Sequence, residues 1–199
     1  IEESIHDAFV KRFAERANAM TIGNPLDNPD MGPLVSEGQL RDVLGYVKKG
    51  IEEGATLVCG GERYTEGECA KGYFMRPTIF DNCTPDMTIV REEIFGPVVT
   101  IQTFQTEEEA IALANDTIYG LAGGVFTHQL ERALRVVKEV RAGITWVNAF
   151  NPTFNEAPWG GYKMSGIGRE LGVHGLEEYQ EIKQVNINLT PGPAGWYEH

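Results

Sequence analysis

The sequence predicts an α/β fold, a parallel-rich sheet with flanking helices, and three observations predict it. Short β-branched runs, TIF (78–80), PVVTIQTF (97–104), GGVFT (123–127) and GITWVN (143–148), read as strands. Segments at helical spacing, EEEAIALAND (107–116) and LERALRVVKEV (130–140), separate the later runs. Strands alternating with helices need crossover connections, and crossovers pair strands in parallel. Neither an internal repeat nor a linker interrupts the pattern, so one α/β unit is expected.

Taken in order, Ile5, Phe9, Phe13, Ala17 and Met20 recur at helical spacing, with Ser4 in N-cap position. The turn-rich GNPLDNPDMGP (23–33) stops that helix with its three prolines. Ser36 then caps a second helix whose apolar face is Leu40, Val43, Leu44, Val47 and Ile51, ended by Gly54. TLVC (56–59) is a short strand, and GGERYTEGECAKG (60–72) a polar hairpin excursion. Thr106 with Glu109 forms a capping box for the helix at 107–116. After GITWVN come a glycine-rich loop, a short helix starting at Arg169 and Glu170, and another around GLEEYQEI (175–182). In KQVNINL (183–189), Val185, Ile187 and Leu189 alternate with polar residues, as in a strand with one solvated face or an edge open to a partner.

Composition excludes several function classes. A net charge of −12 leaves no Lys/Arg surplus for a nucleic-acid surface. No apolar run approaches the ~18–20 residues of a membrane span. Cys59, Cys69 and Cys83 are odd in number and lack C-x-x-C spacing, which argues against a disulfide framework or zinc site and suits a reducing cytoplasm. The histidines, His6, His128, His174 and His199, show no metal-ligand spacing, and none is assigned a catalytic role. The chain opens IEESIHDAFVKRF, without Met or a signal-peptide pattern, and Ile1 reads as the end of a strand entered from upstream. A piece of a longer protein is expected.

Two stretches ask for chemistry. In REEIFGPVV (91–99) adjacent carboxylates precede an aromatic residue and a Gly-Pro. A carboxylate there can accept the paired hydroxyls of a ribose, and the aromatic can lie against a flat ring. The alternative is a solvated glutamate pair beside a core phenylalanine. In the loop after GITWVN, Phe150, Phe154 and Trp159 gather three aromatics within about ten residues. They can line an apolar tunnel or part of a quaternary-ammonium cage, or they can cover the core. The run SGIGREL lacks the complete G-x-G-x-x-G and a directly preceding strand, so it is not a dinucleotide fingerprint.

Six motifs in register, GNPLDNPDMGPL, GYFMRPTIF, EEIFGPVV, NDTIYGLAGGVFT, AGITWVN and PWGGYKMSGIGREL, resemble the C-terminal part of the NAD(P)-dependent aldehyde dehydrogenases. Together they span nearly the whole chain. Its ending, from FNEAPWGG through KQVNINL to GWY, is similar to the betaine-aldehyde branch of that family.

The resemblance implies a fold and an activity. The fold would be an aldehyde dehydrogenase catalytic domain over 1–180 with an oligomerisation strand and tail over 181–199. The activity would be NAD- or NADP-linked oxidation of an aldehyde, betaine aldehyde in this branch, in a cytoplasmic homodimer or homotetramer. In the family a cysteine thiolate attacks the carbonyl, hydride passes to the nicotinamide, and a glutamate-activated water releases the acid. The nucleophile and base would lie upstream of residue 1, leaving the chain inactive alone and without a catalytic residue of its own. By position, Glu93 matches the glutamate on the nicotinamide ribose, Phe95 the aromatic against the nicotinamide, and Gln39 a position near the cofactor ribose. Trp159, Thr153 and Phe154 match the aldehyde pocket, and Asn148 a structural asparagine near the site. Lys163 and Gly166 match positions whose backbone carbonyls bind potassium between subunits. Two alternatives remain: a non-catalytic oligomerisation module that keeps the fold, and an enzyme for another small or amino aldehyde.

Overall fold

In the computed structural model, which describes residues 1–190 and Gly192, β2 (Thr78–Asp81) is the most deeply buried element. It is central in a sheet of order β1-β2-β3, with β1 at Thr56–Cys59 and β3 at Val98–Thr100. Successive strand side chains point to opposite faces, and β2 is covered on both. Ile79 joins Ala17 and Ile101 beneath Val10 and Phe13 of α1 (His6–Asn18). Phe80 joins Val47, Ala55, Cys83, Met87 and Ile89 on the side of α2 (Glu37–Glu52).

β1 and β2 pair antiparallel across the polar excursion, as a hairpin should, with a bulge between Leu57 and Cys59. Gly60 opens the excursion at φ +74°, and a Cβ there would fall on the Pro77 carbonyl oxygen. β2 and β3 pair in parallel through a connection carrying the four-residue helix α3 (Thr88–Arg91). The remaining elements build a second, two-stranded parallel sheet of β4 (Ala122–Val125) and β5 (Ile144–Val147). Helix α5 (Leu130–Glu139) crosses between its strands and packs on both, with α4 (Glu107–Asn115) beside it. Glu107 ties the two helices by accepting from Arg132 and Arg135. The helix α6 (Gly172–Glu177) follows the long loop.

The caps foreseen at Ser36 and Thr106 are present: Ser36 Oγ accepts from the Gln39 N–H at 3.1 Å, and Thr106 Oγ1 from the Glu109 N–H at 3.1 Å. Ser4 is not a cap. It donates its own N–H and hydroxyl to Glu2, inside a short 3₁₀ turn that precedes α1. Ile51 is half exposed, and the buried position beside it is Gly50, pressed against Ile89 and Phe80. Nor do Arg169 and Glu170 start a helix. Glu170 is tied to Trp159 in a bridge, so α6 runs Gly172–Glu177 and shares only 175–177 with the helix expected over 175–182.

The ladder in 97–104 covers only 98–100, but Phe104 bridges Glu2 in parallel, and the Ile1 amino group donates to the Gln102 carbonyl at 2.7 Å. Ile1 itself lies in no strand, and the pairing is the single bridge at Glu2. Residues 183–189 form no strand and are solvent-exposed, because a strand needs a ladder partner and no described segment supplies one. The GWY motif (195–197) and the end of the 181–199 segment lie outside the described residues. Among the described residues no helix is long and apolar enough to cross a membrane.

His6 ties α1 to the sheet. Its Nε2 is 2.8 Å from Asp81 Oδ1 and its Nδ1 2.9 Å from Asp7 Oδ1. Only a doubly protonated imidazolium donates to both. The hydrogen bond to Asp81, and then that to Asp7, hold the His6 pKa above its ordinary value. A pKa raised on folding stabilises below the unfolded value of about 6.5, and the contribution is lost as pH climbs through the folded value. The thermal unfolding midpoint is therefore expected to fall as pH rises from about 6.5 toward 8, and His6→Gln to flatten that slope. Equal slopes in both proteins would contradict this.

Candidate active site

A cleft of about 950 Å³ runs between α2 and residues 88–95. Gln39, Asp42, Tyr46 and Lys49 recur at spacings of three and four residues, so one face of α2 forms its wall. Glu92, Glu93 and Phe95 form the other. Phe95 is 72% exposed and sits at φ +54°, a left-handed backbone that bulky residues rarely adopt. The Gln39 amide Nε2 donates to the Phe95 carbonyl and holds that turn. Strain fixed by its surroundings is more common at functional sites than elsewhere. The cleft thus presents one flat apolar ring and a solvent-facing carboxylate, Glu93, side by side.

A second cleft, of about 790 Å³, is lined by Trp159, Leu121, Gly166, Glu170, Glu178 and Tyr179 among others. Trp159 and Glu170 exchange backbone hydrogen bonds at 2.7 Å each, closing residues 159–170 into a loop. Met164 N–H donates to the Ile118 carbonyl, and Tyr162 N–H to that of Gly120. The Lys163 ammonium donates to the Asn115 and Thr117 carbonyls at 3.0 Å each. Gly143, at the entry to β5, admits this loop, since a Cβ there would fall on the Gly160 carbonyl oxygen. Much of the glycine-rich stretch is therefore shaped to hold its own backbone against 115–121.

The aromatics divide. Trp146, buried on β5, stacks obliquely with Trp159 at 6.3 Å and Phe150 at 5.1 Å, and its Nε1–H donates to the Pro152 carbonyl. Phe154 is exposed and Thr153 is too; neither lines either cleft. Asn148, at φ +52°, accepts from the Thr127 N–H and donates to the Thr127 carbonyl, so both amide atoms clamp the end of β4. The structure thus brings Gln39, Glu93 and Phe95 together, and puts Trp159 and Gly166 on a different cleft.

Burial pushes Cys59 and Cys83 above the ordinary range, and the Cys69 thiol is buried against the Ile22 carbonyl.

The aldehyde dehydrogenase family model matches residues 1–185, and betaine aldehyde dehydrogenase from Bacillus subtilis is 50% identical over 198 residues, 99% of this chain. The chain belongs to the aldehyde dehydrogenase family. A betaine aldehyde dehydrogenase from Cereibacter sphaeroides is also 50% identical, over 98% of the chain. The crystal structure of betaine aldehyde dehydrogenase from Staphylococcus aureus in complex with NAD+ superposes with a TM-score of 0.95 at 44% identity, covering 100% of this chain. The α/β fold is that of the family. In each of these comparisons the chain spans 40% of the relative's length.

Sequence reasoning missed Tyr46 and Trp146. Tyr46 lies seven residues after Gln39, two helical turns on, and that spacing alone puts it on the cleft face of α2. Trp146 alternates with its neighbours along β5, but which strand face the loop covers is a tertiary fact.

Proposed function

We propose that this chain forms the nicotinamide-side wall and part of the aldehyde pocket of a cytoplasmic, homo-oligomeric NAD-dependent aldehyde dehydrogenase whose substrate is betaine aldehyde. Phe95 carries the reading: a ring turned to solvent on a left-handed backbone, one residue removed from Glu93 in an open cleft. NAD, when bound, accepts hydride from the substrate. The Glu93 carboxylate accepts the hydroxyls of the nicotinamide ribose, and Phe95 limits the ring's freedom on one side. The second Gln39 amide proton, beyond the one given to Phe95, is free to reach the same ribose.

Trp159 supplies an aromatic face to the trimethylammonium group, with Thr153 and Phe154 further along the pocket loop, and Asn148 holding β4 behind it. The same cleft carries the Glu170 and Glu178 carboxylates beside the Arg169 guanidinium, so the preference for a cation rests on the Trp159 face. Carbonyl oxygens are the donors potassium takes, and those of Lys163 and Gly166 would be two of its ligands. Residues 1–180 form the catalytic part, and 181–199 pair with a second subunit, where the alternation of Val185, Ile187 and Leu189 finds its ladder. Burial pushes the Cys59 and Cys83 thiols up, against a nucleophile's role for either; the nucleophile and its base would come from the rest of the enzyme, and these 199 residues alone would not turn over.

Glu93→Gln in the enzyme should raise KM for NAD about tenfold, the loss of one charge-assisted pair of hydrogen bonds. Steady-state kinetics with NAD varied at saturating aldehyde check this. Unchanged KM and turnover would remove Glu93 from the cofactor site.

A further inference from the structure

The segment that presents Glu93 and Phe95 cannot hold itself. Its only regular element, α3, has four residues, far below the length at which a helix persists unaided. Arg91 ties it to Asp116, through the carbonyl at 2.7 Å and the carboxylate at 3.0 Å, and three further contacts come from one stripe of α2 and its C-cap. The Glu53 carboxylate accepts from the Thr88 N–H at 2.7 Å and the Thr88 hydroxyl at 2.6 Å, capping α3 from outside. The Tyr46 hydroxyl donates to Glu92 Oε2 at 2.8 Å. Gln39 donates to the Phe95 carbonyl.

Residues 39, 46 and 53 are spaced by two helical turns, so they line up along the helix. They meet 95, 92 and 88 in the reverse order, as an antiparallel clasp. The middle contact sits next to Glu93. The Tyr46 ring is itself anchored, packed against the Phe80 cluster with Ile94 beside it. Its hydroxyl is therefore a fixed point, whereas Glu92 is solvent-exposed and would otherwise sample many rotamers.

We infer that Tyr46 is a positioning residue for the cofactor: through Glu92 it sets the backbone from which Glu93 and Phe95 meet the nicotinamide end. The inference rests on the function proposed above and adds a residue of the cleft wall whose hydroxyl is given to Glu92.

Tyr46→Phe keeps the ring and removes only the hydroxyl. In the enzyme carrying this chain it should raise KM for NAD about three- to tenfold, what one ordinary hydrogen bond contributes and less than a bond to a charged group, because Tyr46 acts through Glu92. KM for the aldehyde should stay unchanged. Glu92→Ala should give the same shift, and the double variant no more than either alone, as expected for two groups acting through one bond. Tyr64→Phe removes a comparable Tyr–Glu bond, to Glu66 at 3.1 Å, away from the cleft, and should leave KM for NAD unmoved. A merely structural Tyr46 would lower the unfolding midpoint and leave the NAD and aldehyde constants alone. That result, or additive effects of Tyr46→Phe and Glu92→Ala, overturns the inference while the enzyme reading stands. A parent enzyme that oxidises no aldehyde with NAD overturns both.

Discussion

Phe80→Ala is expected to lower the unfolding free energy by about 3–5 kcal/mol, the usual loss for a buried Phe truncated to Ala. Phe80 is fully buried at the centre of β2 and touches residues from α2, α3 and the loop between them. The surrounding backbone is pinned by β1 on one side and β3 on the other, so the cavity cannot collapse cheaply. A domain's whole stability is about 5–15 kcal/mol, so the variant should be marginal at growth temperature. Because Ile94 packs on the same cluster, the turn at 92–95 should loosen before global unfolding. Urea titration followed by fluorescence would check the first effect. A loss below about 1 kcal/mol would mean that the core repacks and that the α2–β2 contact is not what holds the first cleft.

Trp159→Ala in the enzyme should raise KM for betaine aldehyde about 5- to 30-fold, and KM for a neutral aldehyde of similar size less than about threefold. The difference isolates the cation–π part, since both substrates lose the same apolar contact. Trp159 is well placed to keep its orientation: its backbone is locked to Glu170 and its ring leans on Trp146. Trp159→Phe keeps an aromatic face and should recover most of the selectivity. Equal effects on both aldehydes would leave a generic apolar pocket.

How much of this could be read from the chain depended on whether the cause was local. Ser36 and Thr106 cap their helices through side chains three residues from their partners, and such caps are legible from sequence. Parallel pairing of β4 with β5 followed from the helix read between them, whereas the β2–β3 pairing runs through a connection whose helix the sequence does not announce. The helix α3 was not legible, because a four-residue turn lacks a period and exists by virtue of Glu53 and Tyr46. Residues 183–189 read as a strand from their alternation, yet the hydrogen-bond partners that would make them one are not among the described residues. At the site, residue types alone left chemistry and a solvated glutamate pair both open, Glu93 and Phe95 being singled out by the family resemblance, and the exposure of Phe95 depends on a left-handed turn that Gln39 holds from 56 positions away. The split between two clefts is likewise a long-range fact. Nothing within the loop 159–170 announces that it fastens onto 115–121.

The most direct test of the account is NADH formation by the purified enzyme containing this chain, supplied with NAD and betaine aldehyde, against a neutral aldehyde of matched size. NADH is expected from both, with the larger kcat/KM for betaine aldehyde. No NADH from either aldehyde would contradict it.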